Sequence, residues 1–183
     1  HPDTAIVLNN LAFLYKENGL YIKAQTHYKR ALKITEEALV PDHLKTAISL
    51  SNLALLYSER GLYSQAESLF QRSLDLRKKV LGLNHPDTAI SLKNLASVYS
   101  DQGLYDNAEP FLYKGIRIKS ILVQRESPYL IKKERFAFTK SLPTFNLVFS
   151  NASKNKSNAK IAMFYRLNRQ GLLEDIEKRQ SLL

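Results

Sequence analysis

HPDTAIVLNNLAFLY (residues 1–15), HLKTAISLSNLALLY (43–57) and HPDTAISLKNLASVY (85–99) are three versions of one phrase, set 42 residues apart. A period of that length marks an array of supersecondary units, none able to bury its apolar face alone. The matches extend past the openings. Leu8, Leu50 and Leu92 correspond, as do Leu11, Leu53 and Leu95, then Ala12, Ala54 and Ala96, then Tyr15, Tyr57 and Tyr99. Gly-Leu-Tyr follows in every unit, at Gly19–Tyr21, Gly61–Tyr63 and Gly103–Tyr105, and Ala24, Ala66 and Ala108 come next.

The matched positions in the first half of each unit fall at i, i+3, i+4 and i+7, one face of an α-helix. Alanine within that stripe lets a neighbouring backbone approach closely. The glycine then ends the helix, because the residue just past a helix end adopts a left-handed conformation that glycine accepts without strain. A second helix starts near Tyr21, Tyr63 and Tyr105 and runs about four turns, carrying Tyr28, Phe70 and Leu112 inward. Asp42 and Asn84 fall at N-cap positions for the next first helix, and Pro86 and Pro2 fall in a first turn, where a missing N–H costs little. Each unit is thus a helix hairpin, and stacked hairpins form an all-α superhelical solenoid with a continuous core. A coiled coil is excluded, since no heptad survives the recurring glycine turns. The expected division is three units, 1–42, 43–84 and 85–126, then a helical cap or connector over 127–183.

Composition agrees with a folded chain: 44% hydrophobic and 24% charged residues. No stretch approaches the length of apolar sequence that crosses a bilayer. There are 0 cysteines, so disulfides, thiolate metal sites and cysteine nucleophiles are ruled out, in keeping with a reducing cytoplasm. The chain starts at His1 and not at Met, and reads as a fragment that begins at a repeat boundary. The net charge of +10 is unevenly placed: 0 over residues 1–42, +3 over 43–84, 0 over 85–126 and +7 over 127–183. A near-neutral array is a poor nucleic-acid groove.

The pattern Leu–x–x–Leu–Ala–x–x–Tyr, Gly, Tyr, x–x–Ala resembles the tetratricopeptide repeat (TPR). The 42-residue period, with HPDTA and LNNLA, resembles the long-unit variety of kinesin light chains and many bacterial proteins. The likeness covers residue 1 to about residue 122. It implies a right-handed superhelical solenoid that recognises proteins. Unit three departs from the pattern at Gly115, which stands where Ala31 and Ser73 stand in its sisters.

In TPR solenoids the face of the first helix beside the core stripe lines a concave groove. By that resemblance the groove residues are Ile6, Asn9, Asn10 and Phe13 in unit one, Ile48, Ser51, Asn52 and Leu55 in unit two, and Ile90, Lys93, Asn94 and Ser97 in unit three. Asn10, Asn52 and Asn94 form an in-register row. Asparagine is a poor helix former, but its amide both donates and accepts, which suits an extended peptide backbone. The row has a second reading, as hydrogen bonds internal to the repeat packing. Chaperone-binding TPR domains hold a terminal carboxylate with a Lys/Arg and Asn set. Here Lys93 is the one cation read on the face, with Glu17, Glu59 and Asp101 opposing an anion. The expected ligand is a peptide or partner helix, apolar with some basic character.

Other candidates fall away. His1, His43 and His85 recur with the repeat, but equivalent positions of packed helices lie on the order of 10 Å apart. Zinc bonds of about 2 Å cannot join them, so they are helix-start residues and no metal is expected. Arg30, Arg72 and Lys114 read as a solvated row on the second helices. No phosphate-binding glycine loop, acid pair or Ser/His/Asp set is present, so neither catalysis nor a cofactor is expected.

After Pro128 the register is lost. YLIKKERFAFTKSLPTFNLVFS (129–150) is apolar enough to pack on the last unit, SNASKNKSNAK (150–160) reads as a loop, and residues 161–183 read as helical. The lysines and arginines of this tail raise nucleic acid or an acidic surface as an alternative partner. RFAFTKSL and RLNRQGLLEDIEKRQSLL together resemble the connector that follows TPR arrays in cyanobacterial proteins ending in a caspase-like CHAT domain. That likeness implies a sensor or adaptor arm of a larger effector, in contact with a C-terminal domain that lies outside this sequence.

Overall fold

Gly19, Gly61 and Gly103 adopt φ of +72°, +72° and +76°, the left-handed conformation that the repeated Gly-Leu-Tyr requires. At each, the chain reverses through a short turn. In the first, the Gly19 N–H donates to Lys16 O at 2.9 Å and the Leu20 N–H to Tyr15 O at 2.8 Å, satisfying carbonyls that the helix end leaves open. The computed structural model describes residues 1–38 and 43–126. Among the described residues there are six helices and no strand: α1 (Pro2–Glu17), α2 (Tyr21–Ala38), α3 (Leu44–Glu59), α4 (Tyr63–Leu81), α5 (Pro86–Asp101) and α6 (Tyr105–Glu126). The second helices begin at the expected tyrosines and are longer than expected, 18, 19 and 22 residues. The connector expected over 127–183, its loop near 150–160 and its CHAT-like stretch lie outside the described residues.

The chain divides into two compact units, His1–Leu83 and Asn84–Leu183. In the first, α1 packs on α2 and α3 on α4, while α2 packs on α3 and α1 touches α3. Its core is Leu8, Ala12, Ala24, Tyr28 and Ala31 from the first hairpin, and Leu50, Leu53, Ala54, Phe70 and Leu74 from the second, all at most 8% exposed. In the second unit the described part is the α5–α6 hairpin, closed by Leu92, Leu95, Ala96, Ala108, Leu112 and Ile116. The core stripe read from the sequence is therefore present, though Leu11, Tyr15 and Tyr99 are only half-buried.

Helix starts differ from expectation. The N-caps are His1, His43 and His85, not the residues before the latter two. Each imidazole Nδ1 accepts a backbone N–H two residues on: Asp3 at 3.4 Å, Lys45 at 3.0 Å and Asp87 at 3.1 Å. Asn84 lies one residue before the actual cap of the helix it was expected to cap, and Asp42 lies outside the described residues. The recurrence of histidine is thereby explained: the ring nitrogen supplies the acceptor that Ser or Asp usually supplies.

Gly115 lies inside α6 without a left-handed φ, and a Cβ added there would meet Ala89 O at 3.6 Å and Leu92 Cβ at 3.8 Å, ordinary contacts. The helix continues through it. Gly115→Ala is therefore expected to stabilise the protein by about 1 kcal/mol, the helix-propensity difference, read as a higher urea midpoint at unchanged slope.

Candidate peptide-binding face

α1 and α3 touch in the first unit, and of the residues expected to line a groove, Ile6, Asn9, Asn10, Ile48 and Asn52 surround one cavity between them. Ile6, Phe13, Ile48 and Leu55 are 45%, 50%, 48% and 41% exposed, apolar side chains left in water. Between the helices is a cavity of about 280 Å³ lined by Ile6, Asn9 and Asn10 from α1, Ile48, Ser49 and Asn52 from α3, and also by Pro2, Ala5, Thr35 and Lys45. Two members of the asparagine row, Asn10 and Asn52, thus share one cavity wall.

Asn9 sits deeper. Its Nδ2 donates to Ser49 Oγ at 3.1 Å, tying α1 to α3. Its Oδ1 is buried and has no hydrogen-bond partner. An unsatisfied buried acceptor is destabilising by roughly 1–3 kcal/mol, so Asn9 is held by its single bond to Ser49 at a cost beside this cavity.

Ser51 departs from the expected face. It is 6% exposed and faces α4, where its hydroxyl lies 2.8 Å from Ser73 Oγ. Arg77, itself 8% exposed, donates to both hydroxyls at 3.2 Å. Ser73 also donates to Ala47 O at 2.8 Å. The position next to the asparagine row is thus turned into the hairpin in this repeat, and Ser51 belongs to internal packing.

The charges near the face also differ from the sequence reading. Lys93 is not its only cation, because Lys45 lines the cavity, 3.8 Å from Asp3. Glu59 and Glu17 do not stand as free anions: Lys16 Nζ lies 2.7 Å from Glu59 and 3.2 Å from Glu17. Desolvation works against the Lys16 charge, but its hydrogen bonds to both carboxylates and their negative charge outweigh it and hold its pKa above the usual lysine value. The same ammonium lies 5.4 Å from the Phe13 ring centroid, so Phe13 is tied into this cluster. No periodicity marks Lys45 or Thr35, which reach the cavity from a helix start and from a second helix.

In the second unit, α5 carries the corresponding row by itself. Ile90 is 46% exposed, and Lys93, Asn94 and Ser97 are half-buried. Of the expected solvated row, Arg30 and Lys114 are exposed, and Arg72 reaches Glu36 on α2 at 2.7 Å. Among the described residues, no His, Cys, Asp or Glu group is placed to hold a metal ion, and no helix is long and apolar enough to cross a membrane.

Comparison with known proteins agrees with this architecture. The model of the tetratricopeptide repeat family matches residues 3–79 and 59–120. Curated proteins give no match. Among solved structures, BtubC (BKLC) from P. vanneervenii superimposes with a TM-score of 0.65 at 19% identity, covering 100% of this chain and 65% of that one. A protein from Podosopora anserina, described as a kinesin light chain with nearly identical TPR-like repeats, gives 0.60 at 21% identity, over 99% and 96% of the two chains. The N-terminal domain of stress-induced protein-1 (STI-1) from C. elegans gives 0.52 at 14% identity, over 64% of this chain and 85% of that one. At such identities the likeness is one of fold, and the family match is what assigns membership. With its glycine turns, alanine rows and paired helices each accounted for, the chain belongs to the tetratricopeptide repeat family.

Proposed function

We propose that this protein is a non-enzymatic scaffold that holds a segment of a partner protein against α1 and α3, with one apolar side chain entering the cavity between them. That TPR repeats make protein–protein interaction scaffolds is the broad part of this reading. The finer part is carried by the cavity, where exposed Ile6 and Ile48 flank Asn10 and Asn52 beside the unsatisfied Asn9 carbonyl. An apolar side chain would cover the isoleucines, and the backbone of the same segment would meet the amides of Asn10 and Asn52. The two neighbouring amides, each donor and acceptor, suit the alternating groups of an extended chain. Lys45 is the one charged residue in the lining, so this cavity gives no reason for a basic ligand. The reading keeps three 42-residue units followed by a connector, and sets the scaffold in the cytoplasm, which the absence of cysteine supports.

The test is selection of peptides from a random 12-residue phage library on the immobilised full chain, followed by fluorescence polarisation with the selected peptides. Asn10→Ala/Asn52→Ala is expected to weaken binding at least tenfold, about 1.4 kcal/mol, with unchanged far-ultraviolet circular dichroism. Equal affinity for the variant and the parent chain would sink the proposal.

A further inference from the structure

Within the first unit, α3 shows what the outer face of a first helix receives. Thr46, Ser49, Leu53 and Leu56 of α3 are each at most 4% exposed, and α2 packs on α3. Polar contacts give the direction of that packing. Near the start of α3 the Thr46 hydroxyl donates to Thr35 O at 3.4 Å, toward the end of α2. Past the end of α3, Arg60 donates to Gln25 Oε1 at 2.8 Å, near the start of α2. The two helices therefore run antiparallel. From α4, Arg72 reaches Glu36 of α2 at 2.7 Å.

One period earlier the same face stands on α1 as Thr4, Val7, Leu11 and Leu14. Here it is left in water. Val7 and Leu14 are 64% and 57% exposed, Thr4 is exposed and Leu11 is half-buried. Arg30, the counterpart of Arg72, is exposed as well. Apolar residues at alternating steps of three and four form the seam by which one helix packs on another, and a contiguous apolar stripe in water marks an interaction site. None of the four residues lines the cavity between α1 and α3.

The occupant follows from the same comparison. It is a helix with an apolar stripe, as α2 is on α3. It carries a carboxylate near its C-terminal end, because Arg30 stands where Arg72 meets Glu36, and such charge-assisted pairs are the stronger hydrogen bonds. A second copy stacked hairpin on hairpin does not fit. Where α1 meets α3, Asn9 Nδ2 donates to Ser49 Oγ at 3.1 Å, and α1 has Val7 at the place of Ser49. A hairpin of this chain laid on α1 would set Asn9, Ser51 or Lys93, the residues at that offset, against a side chain that cannot bond them. A lone helix brings no such residue.

We propose that Thr4, Val7, Leu11 and Leu14 form a docking site for a single amphipathic helix of a partner protein, antiparallel to α1, with its apolar stripe on Val7 and Leu14 and a carboxylate on Arg30. The site is independent of the cavity between α1 and α3, and either can fail alone.

The probe is the α2 sequence itself, a fluorescent synthetic peptide of Tyr21–Ala38 held helical by a covalent staple between positions 29 and 33, both exposed in the chain. Fluorescence polarisation with the full chain is expected to saturate at one peptide per chain. Leu14→Lys, which places a cation near the C-terminal end of α1 where the helix dipole favours it, is expected to weaken binding at least tenfold with unchanged helix content and urea midpoint. Arg30→Glu is expected to weaken it about threefold, as an exposed ion pair does, and a peptide carrying Glu36→Arg is expected to recover that loss on the Arg30→Glu chain. Light scattering is expected to show the parent chain as a monomer at the concentrations of the titration. The proposal is overturned if the peptide shows no saturable binding, or if Leu14→Lys binds it as tightly as the parent chain, the result of a peptide that merely displaces α2. It is also overturned if the exchanged charges recover nothing, or if the parent chain forms a dimer that Leu14→Lys dissociates, which assigns the face to a second copy.

Discussion

Phe70→Ala is expected to lower the stability of this protein by about 3–5 kcal/mol, the range for deleting a fully buried aromatic side chain. Phe70 is 1% exposed on α4 and heads the fully buried side chains by size. Its counterparts one period away are Tyr28 at 3% and Leu112 at 2%, so each hairpin closes on a large apolar side chain at this place. Truncation leaves a cavity between α3 and α4 that neighbouring helices cannot fill without giving up their own packing. Since a folded domain is typically stable by only about 5–15 kcal/mol, the loss is a large share of the total. Phe70→Leu, which copies the residue of the third repeat, is expected to lose less than about 2 kcal/mol. Urea denaturation followed at 222 nm checks both. If alanine and leucine prove equally tolerated, Phe70 does not carry the hairpin.

Ile48→Asp should have the opposite profile, little effect on stability and a large one on binding. Ile48 is 48% exposed on α3 and lines the cavity with Ile6. An exposed substitution of this kind usually changes stability by no more than about 0.5 kcal/mol, and an acidic residue in the opening turns of a helix is electrostatically tolerated. A carboxylate in the cavity wall, however, would have to be desolvated by any apolar side chain that enters. Peptides selected on the parent chain are expected to bind this variant more than tenfold more weakly at an unchanged urea midpoint. A loss of both together would instead make Ile48 part of the core.

The two predictions separate what was legible in the sequence from what was not. The alanine rows, the glycine turns and the starts of the second helices at Tyr21, Tyr63 and Tyr105 follow from local rules, because each concerns a residue and its neighbours along one helix. The row of Ile6, Asn10, Ile48, Asn52, Ile90 and Asn94 follows from the same periodicity, with Asn52 and Asn94 half-buried and the others exposed. The environments around that row did not. Ser51 and Lys93 occupy the same place in the repeat, yet the Ser51 hydroxyl is closed into α4 by Ser73 and Arg77 while Lys93 is half-buried on α5. Lys45 and Thr35 reach the cavity from positions with no periodic mark.

Leucine in the middle of the first helices gives the sharpest case. Leu14 and Leu56 are the same residue at the same offset of two repeats, flanked by nearly the same sequence. Leu56 is 0% exposed because α3 packs on α2, whereas Leu14 is 57% exposed on α1. The sequence alone determined the repeat, its turns and the stripe each helix turns inward, since backbone conformation and side-chain spacing are settled within one hairpin. Which further residues are buried and which amide is left without a donor were decided only by tertiary structure, because burial and hydrogen bonding depend on what the neighbouring helix brings.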